Sequence, residues 1–312
     1  MTVAPRHSGP ASVTGAPPAV IDLHAHSLRS DGVLSPTELV RAAADCGVRL
    51  LALTDHDTLA GVRDLQVAGL PEGFELIPGV EINAVSRTGG AIEESEIHVL
   101  GLGVDPADEG LEQSLAAQRT ARRDRFARML QRLRELGLPV DRELERLPPT
   151  DDEDALGRPR VARALIAAGH ATSVEDAFAR WLSRGQPAYV PRDGLDALGA
   201  IRAIRLAGGL AVLAHFAQAA ERIELLRELR DAGLGGLEVH HASFGPATSA
   251  AVGEVARQLT LVATGGSDYH GDGVSYSEVH AGLSIPGSIE APLRAALAAS
   301  RERPDMARTT DR

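Results

Sequence analysis

The sequence predicts an α/β protein whose strands close into a barrel, and two observations lead to this prediction. Seven short apolar runs, rich in Val, Leu and Ile, alternate with stretches of helical period. The runs are AVIDLH, RLLALTD, FELIPGVEI, EIHVLGLGV, GLAVLAH, GLEVHH and LTLVATGG. Histidines and carboxylates recur in these runs, mostly at their ends, where a β/α barrel carries its active site. Such alternation favours a parallel sheet with enough strands to close.

Helices are expected between the strands, beginning with one whose start is clearly marked. Ser35 precedes Pro36, and Glu38 follows three residues after the serine, a pattern typical of a helix N-terminus. The predicted helices of the barrel span 35–47, 58–68, 195–207, 217–232, 246–258 and 288–300.

One long segment interrupts the alternation of strands and helices. Residues 105–194 have no strand pattern, and their helical patterns cover 109–137, 158–169 and 173–184. We therefore expect a barrel made of 19–104 and 195–302, with 105–194 as a helical insertion over its mouth. Residues 1–18, rich in Pro, Ala, Ser and Gly, and the ending 303–312 are expected to be a disordered leader and tail.

Composition excludes several classes of function. The net charge of −11 argues against a broad nucleic-acid-binding surface. All basic residues are Arg, and the absence of Lys excludes Schiff-base and P-loop chemistry. Because Cys46 is the one cysteine, a metal would be held by nitrogen and oxygen. No apolar run approaches the roughly 20 residues that span a bilayer. With no export signal in the pattern, a cytoplasmic protein without membrane contact is expected.

Most of the histidines cluster with acidic residues in the predicted strands. The cluster residues are His24, His26, Asp31, Asp55, His56, Asp57, Glu81, His98, His215, Glu238, His240, His241, Asp268 and His270. Imidazole and carboxylate suit Zn, Mn and Fe. Side chains two residues apart share a strand face, so His24 and His26 can chelate one ion, as can Asp268 and His270. The Glu81 carboxylate has two oxygens and can bridge two ions. The pattern indicates a metal-dependent hydrolase with two or three ions, and a phosphoester suits such a site best.

Several residues near these clusters allow two interpretations. Asp55 and Asp57 flank His56, and each would either cap a helix or form a turn, or else orient a ligand. One of His240 and His241 should face the pocket, and spacing leaves open which one. Most arginines of the 109–137 helix are expected to form a solvated face. The insertion also carries arginines at the ends of predicted elements, where they could bind a phosphate: Arg158, Arg160, Arg184 and Arg192.

Six motifs along 19–285 resemble the ordered motifs of the PHP (polymerase and histidinol phosphatase) superfamily. They are DLHAHSLRSDG, ALTDHDT, PGVEI, IHVLGLG, LAHF and GGSDYH. The insertion is similar to that of a bacterial phosphoesterase branch, through GRPRVARALIAAG, SVEDAFARWL and GQPAYVP. That branch includes 3′,5′-nucleoside bisphosphate phosphatases, AMP phosphatases and a 5′→3′ exoribonuclease. The resemblance departs at Phe216 and Arg160, where relatives commonly have Pro and His.

The resemblance implies a distorted (β/α)7 barrel that holds up to three ions of Mn, Zn or Fe. It assigns His24, His26, Glu81 and Asp268 to one ion. Asp31, His56 and His270 would hold the second, and Glu81, His98 and His215 the third. A hydroxide on these ions would be the nucleophile. Candidate catalytic residues are Asp55, His56, Asp57 and His241, and the candidate phosphate ligands are the four arginines with His240 and His241.

The expected function is therefore hydrolysis of a phosphate monoester of a small nucleotide, either a 3′,5′-nucleoside bisphosphate or AMP. The alternatives are a 5′→3′ exonuclease on short RNA or DNA and a histidinol-phosphate phosphatase. A non-enzymatic alternative is a regulatory barrel that binds metal or nucleotide without hydrolysing it. No protein partner can be inferred from the sequence.

Overall fold

A computed structural model describes residues 19–85, 97–147, 156–271 and 273–302. Seven strands form one sheet in chain order. They are β1 (Ile21–Ala25), β2 (Leu50–Leu53), β3 (Glu75–Ala84), β4 (Ile97–Leu102), β5 (Leu210–Leu213), β6 (Gly236–His241) and β7 (Val262–Gly266). The Asp268 N–H donates to the His24 carbonyl at 2.7 Å, which joins the segment after β7 to β1. The sheet is thus a nearly closed barrel, and the predicted fold class is confirmed. The predicted leader and tail lie outside the described residues.

The expectation of a wholly parallel sheet is wrong at β4. This strand runs antiparallel to both β3 and β5, whereas the other neighbouring pairs are parallel. Only 12 residues, 85–96, connect β3 to β4, which is about the minimum length of the crossover that a parallel pair requires. As a result, the beginning of β4 lies at the edge where β3 ends, with His98 paired to Asn83.

Helices cover the barrel, most of them close to where they are predicted, although no helix is predicted at Tyr276–Ala281. They are α1 (Pro36–Asp45), α2 (Ala60–Ala68), α7 (Ala197–Leu206), α8 (Ile223–Asp231), α9 (Pro246–Gln258), α10 (Tyr276–Ala281) and α11 (Glu290–Arg301). The labels α3 to α6 denote helices within residues 105–194. The predicted start of α1 is confirmed, because Ser35 and Glu38 form a capping box. Helix α8 begins later than predicted, since the chain first turns after His215, where the Ala217 N–H donates to the His215 carbonyl.

Alternate strand residues enter two separate cores. In β2, Leu51 and Leu53 join the cluster that contains residues of α1 and α2. Leu50 and Ala52 join a second cluster with Leu293 of α11. Because successive side chains of a strand point to opposite faces, a strand buried on both faces is apolar throughout. These two cores hold the strand ends in fixed positions.

Residues 105–194 contain four helices and no strand within their described part. The helices are α3 (Glu109–Glu135), α4 (Asp141–Arg146), α5 (Arg158–Ala167) and α6 (Val174–Ala177), and a π-helical turn (Phe178–Leu182) continues α6. The predicted helix at 173–184 is therefore divided. Buried side chains such as Met129, Leu165 and Leu182 form a third core of this segment. None of the described helices is both long enough and apolar enough to span a membrane.

Candidate metal centre

The cluster residues meet at one edge of the barrel because strands deliver them there. His24 is the last but one residue of β1, and His26 directly follows the strand. His98 comes from the beginning of β4, which the antiparallel direction brings to the same edge. Gly266, which ends β7, permits the close approach of β1, because a Cβ at this position would lie 2.3 Å from the His24 Cβ.

The carboxylate of Glu81 lies at the centre of the cluster and is fully buried. Five imidazoles surround it at 2.8–3.3 Å. Its Oε2 faces His24, His26 and His56. Its Oε1 faces the remaining two, His98 and His215. A carboxylate whose two oxygens each face several imidazoles has the geometry needed to bridge two cations.

Donor atoms within the described residues form four groups, and in each group all donors lie within 4.8 Å of one another. The groups are His24, His26, Glu81 and Asp268; His26, Asp31, His56 and His270; His56, Glu81 and His98; and His24, Glu238 and His241. The first contains the four residues that the resemblance assigns to one ion. The second adds His26 to the assigned set. In the third, His56 accompanies Glu81 and His98, and His215 lies beside them with its Nε2 3.0 Å from His98 Nδ1.

This donor set suits divalent first-row ions, which accept imidazole nitrogen and carboxylate oxygen. One atom supports a cation independently of the residue types. His26 Nδ1 is buried and has no hydrogen-bond partner among the described residues. It lies 3.8 Å from Asp31 Oδ1. Buried polar atoms rarely remain unpaired, and a cation in the group that contains Asp31, His56 and His270 would satisfy this one.

The pKa values of His56 and His26 are shifted in opposite directions. Burial, reinforced by neighbouring imidazoles, lowers the pKa of His56 to about 3. Burial also acts to lower the pKa of His26, but hydrogen bonds to Asp268 and Glu81 outweigh it and raise that pKa to about 10. Burial opposes ionisation of Glu81, yet the surrounding histidines hold its pKa well below the usual value. A neutral His56 and an ionised Glu81 are ready to bind a cation, whereas His26 must release its proton first.

Backbone strain is concentrated at this site. Among the described residues, four that are not glycine have a positive φ, and three of them belong to the cluster region: Asp57 at 52°, His215 at 33° and Asp268 at 51°. Such conformations are unfavourable for residues with a Cβ and persist only where surrounding contacts impose them. The strain indicates that the fold orients these side chains for function.

Asp55 supports the cluster and does not enter it. Its buried carboxylate accepts hydrogen bonds from the Ser27 N–H at 2.7 Å, the Ser27 hydroxyl at 2.8 Å and the Ser30 hydroxyl at 3.0 Å. These bonds hold the loop after β1, which carries Asp31. The contacts therefore give Asp55 a positioning role, although the sequence made it a candidate catalytic residue.

Replacing Asp55 by Asn should lower the free energy of unfolding by about 2 kcal/mol, because hydrogen bonds to a charged group are lost. Urea denaturation of the metal-free protein measures this change. Asp64→Asn is the matched control, since Asp64 pairs with Arg29 in an exposed ion pair worth less than about 1 kcal/mol. Equal stability of the two variants would contradict the positioning role.

Asp57 does not cap a helix, so that interpretation is wrong. Helix α2 begins after Leu59, and no side chain caps it. Instead, Asp57 Oδ1 accepts the Asn83 N–H at 3.2 Å, and Oδ2 accepts a hydrogen bond from Arg122. Asp57 thus joins the end of β2 to β3 and to the inserted segment.

His241, rather than His240, faces the cluster. A β-bulge between Glu238 and His240 shifts the register of β6, so Glu238 and His241 point to the same side. His241 Nε2 lies 3.3 Å from Asp268 Oδ2, and its Nδ1 lies 2.7 Å from the Ser243 hydroxyl. His240 is half-buried on the opposite face, where it is poorly placed for the predicted contact with a phosphate.

Glu238 links two candidate ligands, and the sequence did not predict this role. The carboxylate is fully buried; Oε1 accepts from His24 Nδ1 at 3.1 Å and Oε2 accepts the His215 N–H at 2.7 Å. A carboxylate on one imidazole nitrogen fixes the tautomer and directs the other nitrogen toward a metal. Strict alternation along β6 would place Glu238 and His241 on opposite faces, and only the bulge brings them to the same face.

Glu238→Gln should weaken metal binding about 10-fold or more, the usual cost of losing such a contact to a ligand. Titration of the metal-free protein with Mn²⁺ provides the measurement. Glu254→Gln is the control, because Glu254 forms an exposed pair with Arg257 on α9. Unchanged Mn²⁺ affinity in Glu238→Gln would show that the contact does not orient His24.

The four predicted phosphate-binding arginines all lie in the inserted segment. Arg158 lies over the Phe178 ring at 5.3 Å, and Arg160 donates to the Leu144 carbonyl at 3.4 Å. Arg184 and Arg192 lie in the stretch between the π-helical turn and α7. Contact of these side chains with a phosphate remains a prediction.

Only some arginines of α3 form the solvated face that was expected, since Arg128, Arg132 and Arg134 are exposed. Arg122 and Arg119 contact Asp57, and Arg125 is buried and donates to the Val190 carbonyl at 2.9 Å. A signal in the sequence could have revealed Arg125, although not Arg119 or Arg122. The buried positions of α3 are Leu111, Leu115, Gln118, Arg125, Phe126, Met129 and Leu133. Polar residues on this otherwise apolar stripe indicate a specific partner rather than solvent.

The barrel and its histidine–carboxylate centre define a metal-dependent hydrolase. Comparison with known proteins identifies the family. The model of the PHP domain matches residues 22–242. The 5′-3′ exoribonuclease Rnm of Salmonella typhimurium is 33% identical over 279 residues, which cover 87% of this chain and 92% of the relative. The 3′,5′-nucleoside bisphosphate phosphatase of Chromobacterium violaceum is 32% identical over 261 residues, 82% of this chain and 88% of the relative.

A solved structure agrees with these matches. An amidohydrolase from Chromobacterium violaceum, with bound sulfate and no metal, superposes with a TM-score of 0.74 at 31% identity. The alignment covers 90% of this chain and 97% of that one. The chain belongs to the PHP domain family. It is a phosphoesterase, a hydrolase of phosphoric ester bonds.

Proposed function

We propose that the protein hydrolyses the phosphate monoester of a small nucleotide, a 3′,5′-nucleoside bisphosphate or AMP, with two or three divalent ions of Mn, Zn or Fe. The observation that carries the proposal is the buried Glu81 carboxylate with five imidazoles around its two oxygens. An anion enclosed by this many neutral or cationic rings is the centre of a multinuclear site. A single structural ion would need only three or four of these donors.

One ion would be held by His24, His26, Glu81 and Asp268. A second would be held by Asp31, His56 and His270, and a third by Glu81, His98 and His215. When bound, such ions lower the pKa of a coordinated water and neutralise charge on phosphate oxygens. The fit rests on the donor chemistry of the cluster and on the unpaired His26 Nδ1.

The residues of this chain orient the ligands and handle the proton of the leaving group. Glu238 holds the imidazole of His24, and Asp55 holds the loop of Asp31. His241 lies at the border of the cluster, with its ring fixed by Ser243. From there its Nε2 is the candidate donor of a proton to the departing ester oxygen. Arginines of the inserted segment would complete the site by binding the phosphate.

Three observations support a small nucleotide as the substrate. The phosphatase of Chromobacterium violaceum, by its name, acts on 3′,5′-nucleoside bisphosphates. The similar solved structure contains sulfate, an analogue of phosphate. The net charge of −11 disfavours a long polyanion. Cytoplasmic location remains a prediction.

A screen for phosphate release tests this proposal. The substrates are a 3′,5′-nucleoside bisphosphate, AMP, histidinol phosphate and a 5′-phosphorylated oligonucleotide, each with Mn²⁺ and with EDTA. We expect Mn²⁺-dependent release of inorganic phosphate from the bisphosphate or AMP. Binding of nucleotide without release would support the regulatory barrel, and preference for histidinol phosphate would overturn the choice of substrate.

A 5′→3′ exonuclease is the second candidate, because the Rnm relative is named for that activity. One feature of the inserted segment favours it. Arg180 lies over the Trp181 ring at 5.0 Å, and Arg158 lies over Phe178 at 5.3 Å. Paired arginine and aromatic side chains are typical of surfaces that stack bases and bind phosphates. Release of mononucleotides from the oligonucleotide, rather than inorganic phosphate, would favour this candidate.

A further inference from the structure

Helix α3 of the inserted segment contacts the barrel directly behind the candidate metal centre. Arg122 donates to Asp57 Oδ2, and Arg119 donates to the Asp57 carbonyl at 2.7 Å. The pair is largely removed from solvent, with the side chains of Arg122 and Asp57 exposed by 12% and 1%. Because the pair is buried, removing either partner alone would leave an uncompensated charge.

Asp57 is connected to two candidate ligands through the backbone. It directly follows His56, and its N–H donates to the Glu81 carbonyl at 2.9 Å. The positive φ of Asp57, 52°, turns the chain directly after His56. A side chain in this conformation needs outside contacts to stay there. Arg119 and Arg122 supply such contacts.

Helix α3 also contacts His56 indirectly, through Asn83 of β3. Gln118 donates to the Asn83 carbonyl at 3.0 Å, and the Asn83 side chain lies 3.1 Å from His56 Nδ1. The Asn83 N–H in turn donates to Asp57 Oδ1. One face of α3 therefore contacts both chain segments that carry His56 and Glu81.

We propose that the Arg122–Asp57 pair is a positioning device for His56 and Glu81, so that the inserted segment is required for full metal affinity. The inference rests on the proposed function, because it takes these two residues to be ligands. It extends that function by giving α3 a role at the metals, in addition to any contact of the insertion with substrate. A purely structural ion pair would anchor the insertion and leave metal affinity unchanged.

The test compares three variants by Mn²⁺ titration, followed by electron paramagnetic resonance of the free ion. Arg122→Met removes the cation and leaves the Asp57 carboxylate buried without its partner. The double variant Asp57→Asn, Arg122→Met removes both charges and avoids that unpaired group. Arg128→Met is the matched control on the same helix, since Arg128 pairs with the exposed Asp193. Thermal unfolding of each metal-free variant is recorded alongside.

We expect the double variant to fold and to bind Mn²⁺ about 10-fold more weakly than the wild type, as when a contact that orients a ligand is lost. Arg128→Met should bind like the wild type. Wild-type Mn²⁺ affinity in the folded double variant would overturn the proposal, even if Arg122→Met alone failed to fold. If the wild type itself bound no Mn²⁺, the ligand assignment of the proposed function would fail instead.

Discussion

Replacing Glu81 by Gln should lower the rate of phosphate release by about 10³-fold, because several kcal/mol of transition-state stabilisation are lost and each ~1.4 kcal/mol is tenfold. The amide keeps the shape of the side chain and one acceptor oxygen. It cannot place a negatively charged oxygen toward both sets of imidazoles. The variant should therefore also retain fewer Mn²⁺ ions per chain, which metal analysis after dialysis measures.

The matched control for this substitution lies on the same strand. Glu75 begins β3, is half exposed and pairs with Arg294. Glu75→Gln should change neither the rate nor the metal content, and stability by less than about 1 kcal/mol. Wild-type turnover and metal content in Glu81→Gln would mean that the central carboxylate does not bridge ions.

His26→Ala should abolish hydrolysis, since this imidazole takes part in two of the donor groups. Its Nε2 lies 3.1 Å from Glu81 Oε2 and 3.2 Å from Asp268 Oδ1, while its Nδ1 is directed to the group of Asp31. One substitution thus weakens two neighbouring sites. We expect a loss of at least about 10³-fold in the rate of phosphate release. The variant should still unfold cooperatively in urea.

His170 provides the comparison for His26, because it is a histidine of the inserted segment outside the cluster. His170→Ala should keep the activity and the metal content of the wild type. Turnover retained in His26→Ala, or lost equally in both variants, would count against the assignment of ligands.

Much of the fold was predictable because hydrophobic periodicity is local. The seven strands and the barrel helices other than α10 follow from short patterns, and the Ser35 capping box marks one helix start correctly. Helix α10 was not predicted, and its His280 was expected in a strand. The direction of β4 was not predictable in this way. An apolar run looks the same in parallel and antiparallel strands, and only the short connection of 12 residues between β3 and β4 indicates the reversal.

The members of the site were predictable for a different reason. Histidine and carboxylate at strand ends are costly to bury without a partner, so their recurrence indicates a common ligand. Their grouping depends on long-range contacts. His24 meets Glu238 only because β1 and β6 approach in the closed sheet, and His241 turns inward only because a bulge shifts its strand.

Arginines of α3 illustrate a further limit of local patterns. Charged residues on a long helix usually face solvent. The sequence of α3 does not indicate that Asp57 is the partner of Arg122. Only the tertiary contact of Arg122 with Asp57 separates this arginine from its exposed neighbour Arg128. Polar residues at buried positions of a helix, such as Gln118 and Arg125, indicate a specific partner, as histidines at strand ends do.

Anomalous diffraction from crystals grown with Mn²⁺ tests the central claim most directly. We expect two or three anomalous peaks around Glu81, each within direct coordination distance of imidazole nitrogens and carboxylate oxygens of the cluster. Crystals with added Mn²⁺ in which these side chains surround no anomalous peak would contradict the claim that the barrel is built around a multinuclear metal centre.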